Sequence, residues 1–254
     1  MKNVESVRQS ESTTGRVVRV LLAFSEGKTE LGVSEIGRMS GLSKAVAHRI
    51  LQELCAAHVV EQDRQTRKYR LGSAALALGD AAAASSRLRA EGLPTLAELA
   101  EVTGETATLS ARVGYRRLYV GQVESSRLIR ISVQVGLSLP LTVGASGQAM
   151  LAFLPEREIE WVLNRPVPAM SDRTETRPER IRGRLEHVRE VGYARTDSER
   201  VAEAVSFAAP VFNSYKEVVG AVSVAALASR VEPDREAELG DDVVAASREL
   251  SRRL

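Results

Sequence analysis

From Val33 to Leu54 the chain reads VSEIGRMSGLSKAVAHRILQEL, two runs of helical periodicity joined through a glycine, and no other stretch restricts the fold as tightly. On a helical wheel of residues 44–54, Val46, Ala47, Ile50, Leu51 and Leu54 share one side, while Lys44, Ala45, His48, Arg49 and Gln52 share the other. One side is built to pack and the other to meet a partner. Gly41 suits a left-handed turn between the helices, and Ser43 is a good N-cap for the second. This is the sequence form of a helix-turn-helix, in which the second helix enters the DNA major groove. Two amphipathic helices around a glycine also occur in domains that touch only protein, so the residues that follow matter.

They read VVEQDRQTRKYRL, which predicts a hairpin with strands from Val59 to Gln62 and from Lys68 to Leu71. Arg64, Arg67, Lys68 and Arg70 crowd its loop and return strand, as a wing lying along phosphates requires. Residues 1–75 hold 12 lysines and arginines against 8 acidic residues, whereas the rest of the chain holds 23 against 25. The positive excess therefore sits with the helix-turn-helix, where it favours a polyanion.

At 254 residues the chain has room for two domains with separate cores. The single cysteine, Cys55, excludes an internal disulfide and a cysteine-rich metal site, and its place in the second helix reads as a small apolar residue. Three histidines without metal-ligand spacing give zinc no support, and no cofactor is implied. The polar start MKNVESVRQSESTTG lacks the apolar core of a signal peptide, and no apolar run approaches the ~20 residues of a membrane span, so a cytoplasmic protein is expected.

Four segments are expected. Residues 1–13 form a flexible tail; 14–72 form the winged helix-turn-helix, braced by a helix from Arg16 to Glu26 and with a short strand from Leu31 to Val33; the alanine-rich stretch 73–91 forms a linker helix. That helix carries Leu76, Leu78, Ala83 and Leu88 as a stripe for the same helix of a second chain. Gly92 and Pro94 mark the boundary to 92–254, a mixed domain. There the pattern predicts a helix from Leu93 to Val102 and strands from Thr106 to Val113, Arg117 to Val123 and Ile129 to Val135. Short helices follow after Pro140 and from Arg157 to Leu163, then a long surface loop from Asn164 to Thr176 and a helix from Pro178 to Glu190. Strands from Tyr193 to Thr196, Ala204 to Phe212 and Val218 to Ala225 close the sheet, and a helix from Arg235 to Leu254 ends the chain. Helices flanking a largely antiparallel sheet give an α+β fold of the ligand-sensing type.

The motifs GLSKAVAHRILQEL, KYRLG, TGETATL, LYVGQVES, VGLSLPLTVGASGQAMLAFLP, VREVGYA, FAAPVFN and VVGAVSV, in this order from about Thr14 to Leu254, resemble the IclR family of bacterial transcription regulators. The resemblance implies a two-domain α/β architecture: an N-terminal winged helix-turn-helix, a linker helix used for dimerisation, and a C-terminal α+β GAF/PAS-like domain that binds an effector. It implies a homodimer, commonly a dimer of dimers, that binds double-stranded operator DNA under control of a small-molecule effector, a small organic acid or aromatic metabolite. The DNA-contacting positions would be Ser43, Lys44, Ala45, His48, Arg49 and Gln52 on the recognition helix and Arg64, Arg67 and Lys68 on the wing. His48 and Arg49 match the family's His-Arg pair, but Ala45 and Val46 stand where hydroxyl residues are usual, which alters the expected operator sequence.

In the same family the effector pocket would fall on Leu128, Ile131, Ala145 and Ser146, and on Asp197, Ser206, Ala208, Ser223 and Ala225. A cysteine is frequent at Ser206 and a serine at Ala225, so the pocket chemistry differs here. The helix N-terminus at Ala145 and Ser146 offers backbone N–H groups to a carboxylate, and Asp197 an acceptor for a hydroxyl or amine. Ser206 and Ser223 add polar points to an otherwise apolar wall. A hydrolase is a poor fit: Gly144 to Gly147 resembles half of a nucleophile elbow, but Gln148 stands where its second glycine belongs, and His187 lies on a charged helix. The rival to a DNA reader is a cytoplasmic small-molecule-binding protein whose helix-turn-helix makes protein contacts only.

Overall fold

The computed structural model describes residues 12–254 and divides after Ser86 into two compact units. The expected tail at 1–11 lies outside the described residues. Thr13 already belongs to the first helix, because the Ser12 side chain caps it by accepting from the Gly15 N–H and starts it earlier than the apolar pattern suggests.

The first unit holds α1 (Thr13–Ala23), α2 (Val33–Ser40), α3 (Lys44–Ala56), β1 (Val60–Gln62), β2 (Tyr69–Leu71) and α4 (Ser73–Ser85). Val20, Leu31, Ile36, Leu51, Val60 and Tyr69 make its core. The strand expected at Leu31 is a single antiparallel bridge to Tyr69, closed by hydrogen bonds of 2.9 and 2.8 Å. Thirteen residues long, α4 buries none of its side chains; Leu76 and Leu78 are 67 % and 66 % exposed. The linker helix stops here rather than at residue 91: Ser86 is extended, and Arg87 opens the next helix.

In the second unit, α5 (Arg87–Thr103) runs through both Gly92 and Pro94. Gly92 is not a helix stop but a point of close approach, since a Cβ there would lie 2.5 Å from Leu109 Cδ2. Pro94 is exposed and forfeits one helical hydrogen bond, a cost that packing on the sheet overrides. The sheet is wholly antiparallel in the order β5-β4-β3-β8-β7-β6, with β3 (Thr106–Val113), β4 (Arg116–Val123), β5 (Ser138–Pro140), β6 (Ala194–Asp197), β7 (Ala204–Phe212) and β8 (Val218–Leu227). One face presents Leu109, Phe207, Ala209, Val222 and Val224 to α5 and to α9 (Pro233–Arg252). The other lies under α6 (Gly144–Leu151), with α7 (Glu156–Leu163) and α8 (Pro178–Val191) completing that layer. Among the described residues, no helix is long and apolar enough to cross a membrane.

Two expectations fail for local reasons. Ile129 to Val135 is irregular rather than a strand. The Val133 N–H turns to the Gln122 side chain, and ladder pairing with β4 resumes only at Ser138–Pro140, a short edge strand that tolerates its proline. The 164–177 loop is not wholly on the surface. Thr174 and Glu175 are buried, and the Thr174 hydroxyl donates to the Glu199 carbonyl while accepting from Met170 and Ser171.

A bulge in β4 bears on everything that follows. Thr108 pairs with Gln122 and Leu109 with Gly121, but Ser110 pairs with Tyr119, so Val120 is the extra residue. Because side chains alternate with period two, one inserted residue reverses the facing of all that precede it on the strand. Tyr119 and Arg117 therefore share the α6 face with Ser110, Thr108 and Ser223.

Candidate functional site

The recognition helix is set by a short turn. Gly41 takes φ 67°, and the Ser43 side chain accepts from the Val46 N–H at 3.4 Å. Gly37 lets the two helices close, since a Cβ there would lie 3.0 Å from the Leu42 carbonyl oxygen. Ala47, Ile50, Leu51 and Leu54 are buried, whereas Ser43, Lys44, Ala45, Arg49 and Gln52 are exposed and His48 is half-buried. The N-cap role engages the Ser43 oxygen as an acceptor and leaves its O–H to donate.

At the tip of the wing, Asp63 organises the turn. Its carboxylate accepts from the Gln65 and Thr66 N–H groups and the Thr66 hydroxyl, and the Thr66 N–H bond leads in holding its pKa below the usual range. Arg64, Arg67 and Lys68 project into solvent. Arg70 differs from them, because Glu61 on the paired strand holds it at 3.1 Å. The wing thus carries three outward cations, with the fourth neutralised.

In the second unit, the expected pocket residues separate into two groups. Ser146 donates to Ser223 at 3.0 Å, and Ser223 is 2.6 Å from the Thr108 hydroxyl; Ala208 and Ala225 lie on the same face, paired to Ser223 and Ser206 across β7 and β8. Ala145, Ser146, Ser206, Ala208, Ser223 and Ala225 are thereby brought together. Asp197 lies at the edge, in a 420 Å³ cleft with Ser171, Arg173 and Ser198. Ile131 is buried in the irregular segment, but Leu128 in the same segment is 94 % exposed and forms no part of an enclosed wall. Chain trajectory is the reason: without strand pairing at Ile129, nothing folds Leu128 inward.

A further expectation is corrected at the start of α6. Its first two N–H groups are engaged within the chain. The Gly144 N–H donates to the Glu199 carboxylate at 2.9 Å and the Ala145 N–H to the Thr196 hydroxyl at 3.1 Å. Glu199 is held in turn by Arg184 and the Gln148 amide, so the helix dipole is met from within the chain. Arg117, at 2 % exposure, was not foreseen as part of this face, nor were Tyr119, Ser110 and Thr142. The signal was an arginine pair inside an otherwise alternating strand, GYRRLYVGQV, and the bulge that turns Arg117 inward leaves no mark in the periodicity.

Among the described residues no cluster of three or more His, Cys, Asp or Glu is placed to hold a metal. Cys55 is partly buried, and burial pushes its thiol up, away from the reactive thiolate. Ser146 spends its hydroxyl on Ser223, and His187 lies exposed near Glu190.

Residues 13–64 match the IclR helix-turn-helix domain and residues 80–252 the bacterial transcriptional regulator IclR C-terminal domain. The chain is 32 % identical over 232 residues to the HTH-type transcriptional regulator BhcR of Paracoccus denitrificans, covering 91 % of this chain and 82 % of that one. An IclR transcriptional regulator from Alicyclobacillus acidocaldarius superposes with a TM-score of 0.80 at 28 % identity, over 94 % of this chain and 97 % of the other. An IclR homologue from Microbacterium hydrocarbonoxydans, crystallised as a complex with 4-hydroxybenzoate, gives 0.71 at 27 % identity, over 95 % and 100 %.

Proposed function

The chain belongs to the IclR family of bacterial transcription regulators, with a DNA-binding helix-turn-helix and an effector-binding C-terminal domain, and from that premise we propose how its own residues divide the work. Lys44, Ala45, His48, Arg49 and Gln52 read base edges in the major groove, Ser43 positions the helix on the backbone, and Arg64, Arg67 and Lys68 grip phosphates alongside. The observation that carries this reading is the partition of α3, where Ala47, Ile50, Leu51 and Leu54 are buried and Lys44, Ala45, Arg49 and Gln52 are exposed. The protein acts as a homodimer, with a dimer of dimers as the larger assembly. An α4 with no buried side chain and outward Leu76 and Leu78 supports pairing through that helix.

Two recognition helices then meet two half-sites of a near-palindromic operator. The effector is a small organic acid or aromatic metabolite, bound against Ala145, Ser146, Ser206, Ala208, Ser223 and Ala225, with Ile131 and Asp197 at the margins. The bound ligand in the Microbacterium homologue is of this class. Control follows if the effector binds one arrangement of the DNA-binding arms more tightly than the other.

Selection of bound sequences from random duplexes, followed by gel shifts with the selected operator, tests the reading. Arg49→Ala should weaken operator binding by about 1–3 kcal/mol and relax sequence preference. A rival in which the helix-turn-helix makes protein contacts only predicts no selected sequence and no salt dependence on random duplex DNA.

A further inference from the structure

The α6 face of the sheet carries a buried cation with no carboxylate to neutralise it. Among the described residues, Arg117 Nε and Nη1 have no hydrogen-bond partner, Nη2 reaches the Val143 carbonyl at 3.5 Å, and the guanidinium also meets the Tyr119 hydroxyl, with no carboxylate paired to it. The Ser110 and Thr142 hydroxyls are also buried and unpartnered. These groups converge. Ser110 lies opposite Tyr119 across β3 and β4; Arg117 is two residues along the same face, its guanidinium carbon 4.6 Å from the Tyr119 ring centre. Thr142 immediately precedes the Val143 carbonyl that Nη2 approaches, and a Cβ on Gly144 would stand 3.1 Å from Nη2. Glycine at this position, with φ 72°, leaves the guanidinium that room without a shift.

A buried guanidinium lacking a counter-charge is an expensive arrangement, tolerated where a function depends on it. The neighbouring carboxylates do not supply the charge: Glu199 is engaged by Arg184, Gln148 and the Gly144 N–H, and Asp197 by Ser198 and, at longer range, Arg173 and Arg195. Burial pushes the Tyr119 hydroxyl up, but the guanidiniums of Arg117 and Arg200 together outweigh it and hold its pKa below the ordinary value. Both guanidiniums therefore act on the same hydroxyl, by charge and by hydrogen bonding.

We infer that Arg117 is the anchor for the effector's carboxylate, with Ser110 and Thr142 as flanking donors, and that the domain therefore selects small organic anions over their neutral analogues. This deepens the effector-binding reading and rests on it. It also relocates the anion contact from the N-terminus of α6, whose first two N–H groups are occupied within the chain, to the sheet beneath it.

The test is the melting temperature of the full-length protein at fixed ionic strength with acetate, benzoate or 4-hydroxybenzoate, each paired with its primary amide. The wild type should be stabilised by acids and not by amides. Arg117→Met should melt at or above the wild type without ligand, because an unpaired buried charge has been removed, and should bind the acids on the order of 100-fold more weakly. Arg117→Lys, which keeps the charge, should retain part of the response. Three results would overturn the inference: Arg117→Met responding like the wild type, Arg117→Met melting several degrees lower without ligand, or a wild type stabilised equally by amides. Indifference of the wild type to all six compounds counts against anion anchoring and effector binding together. Equal response to acids and amides would leave effector binding standing. Operator binding by Arg49→Ala judges the DNA reading independently.

Discussion

Replacing Arg67 offers the most quantitative test of the DNA-binding surface. Five cations on this surface project outward per protomer: Lys44 and Arg49 on α3, and Arg64, Arg67 and Lys68 on the wing. Each phosphate neutralised contributes about −0.9 to the slope of log affinity against log salt. If a dimer places both wings on DNA, losing Arg67 should make the slope shallower by about 1.8, twice the single-contact value. Across the fourfold rise from about 50 to 200 mM salt, the variant's affinity should fall roughly tenfold less than the wild type's. The substitution must respect the backbone, because Arg67 has φ 57°, and asparagine accepts that conformation where alanine is strained. Arg67→Asn is therefore the variant, and Arg70→Ala, whose guanidinium is already held by Glu61, is the matched control that should leave the slope almost unchanged. Fluorescence anisotropy with labelled random duplex provides the measurement. Equal slopes for the wild type and Arg67→Asn, or an equal change for Arg70→Ala, would refute the assignment of the wing to phosphates.

Three other perturbations follow from packing and charge. Leu51→Ala, at a fully buried position of the first unit, should cost about 2–5 kcal/mol and lower DNA affinity while leaving acid-induced stabilisation of the second unit intact, as urea melts and gel shifts would show. Gly147→Ala places a Cβ 2.6 Å from the Leu141 carbonyl oxygen, a backbone atom that cannot swing aside, so a loss of about 1–3 kcal/mol in urea unfolding is expected. Glu175, hydrogen-bonded by Arg177, has its pKa lowered to about 2. Its contribution is complete above the unfolded carboxyl value and lost as pH falls through about 2, so the stability gap between wild type and Glu175→Gln should be largest near neutral pH and close under acid, read by melting temperature against pH.

Local periodicity carried the first unit well. The buried and exposed sides of α3 are those of its helical wheel, and Gly41 and Ser43 act as turn and cap. Such features depend on residues within one or two turns of each other. The second unit was legible in its elements but less so in its site, because the site depends on long-range matters. Whether the N-terminus of α6 is open depends on Glu199, 55 residues away along the chain. Whether Arg117 faces solvent or the sheet's buried side depends on the single extra residue at Val120, and alternation cannot register a shift by one. The stretch from Ile129 to Val135 was misjudged for a related reason: β-branched residues suit a strand, but they form no ladder with a neighbouring strand. Gly92 and Pro94 looked like a boundary, and tertiary packing against Leu109 overrode both.

The bare surface of α4 has a consequence for how the molecule melts. Thirteen residues with Gly79 at the centre form a segment too short to hold its own shape in water, since isolated helices below about 12–15 residues are marginal even when rich in alanine. Its coiling must then be lent by whatever lies across Leu76 and Leu78. If that covering is the second copy proposed above, dilution should cost far-ultraviolet ellipticity before either hydrophobic interior loosens.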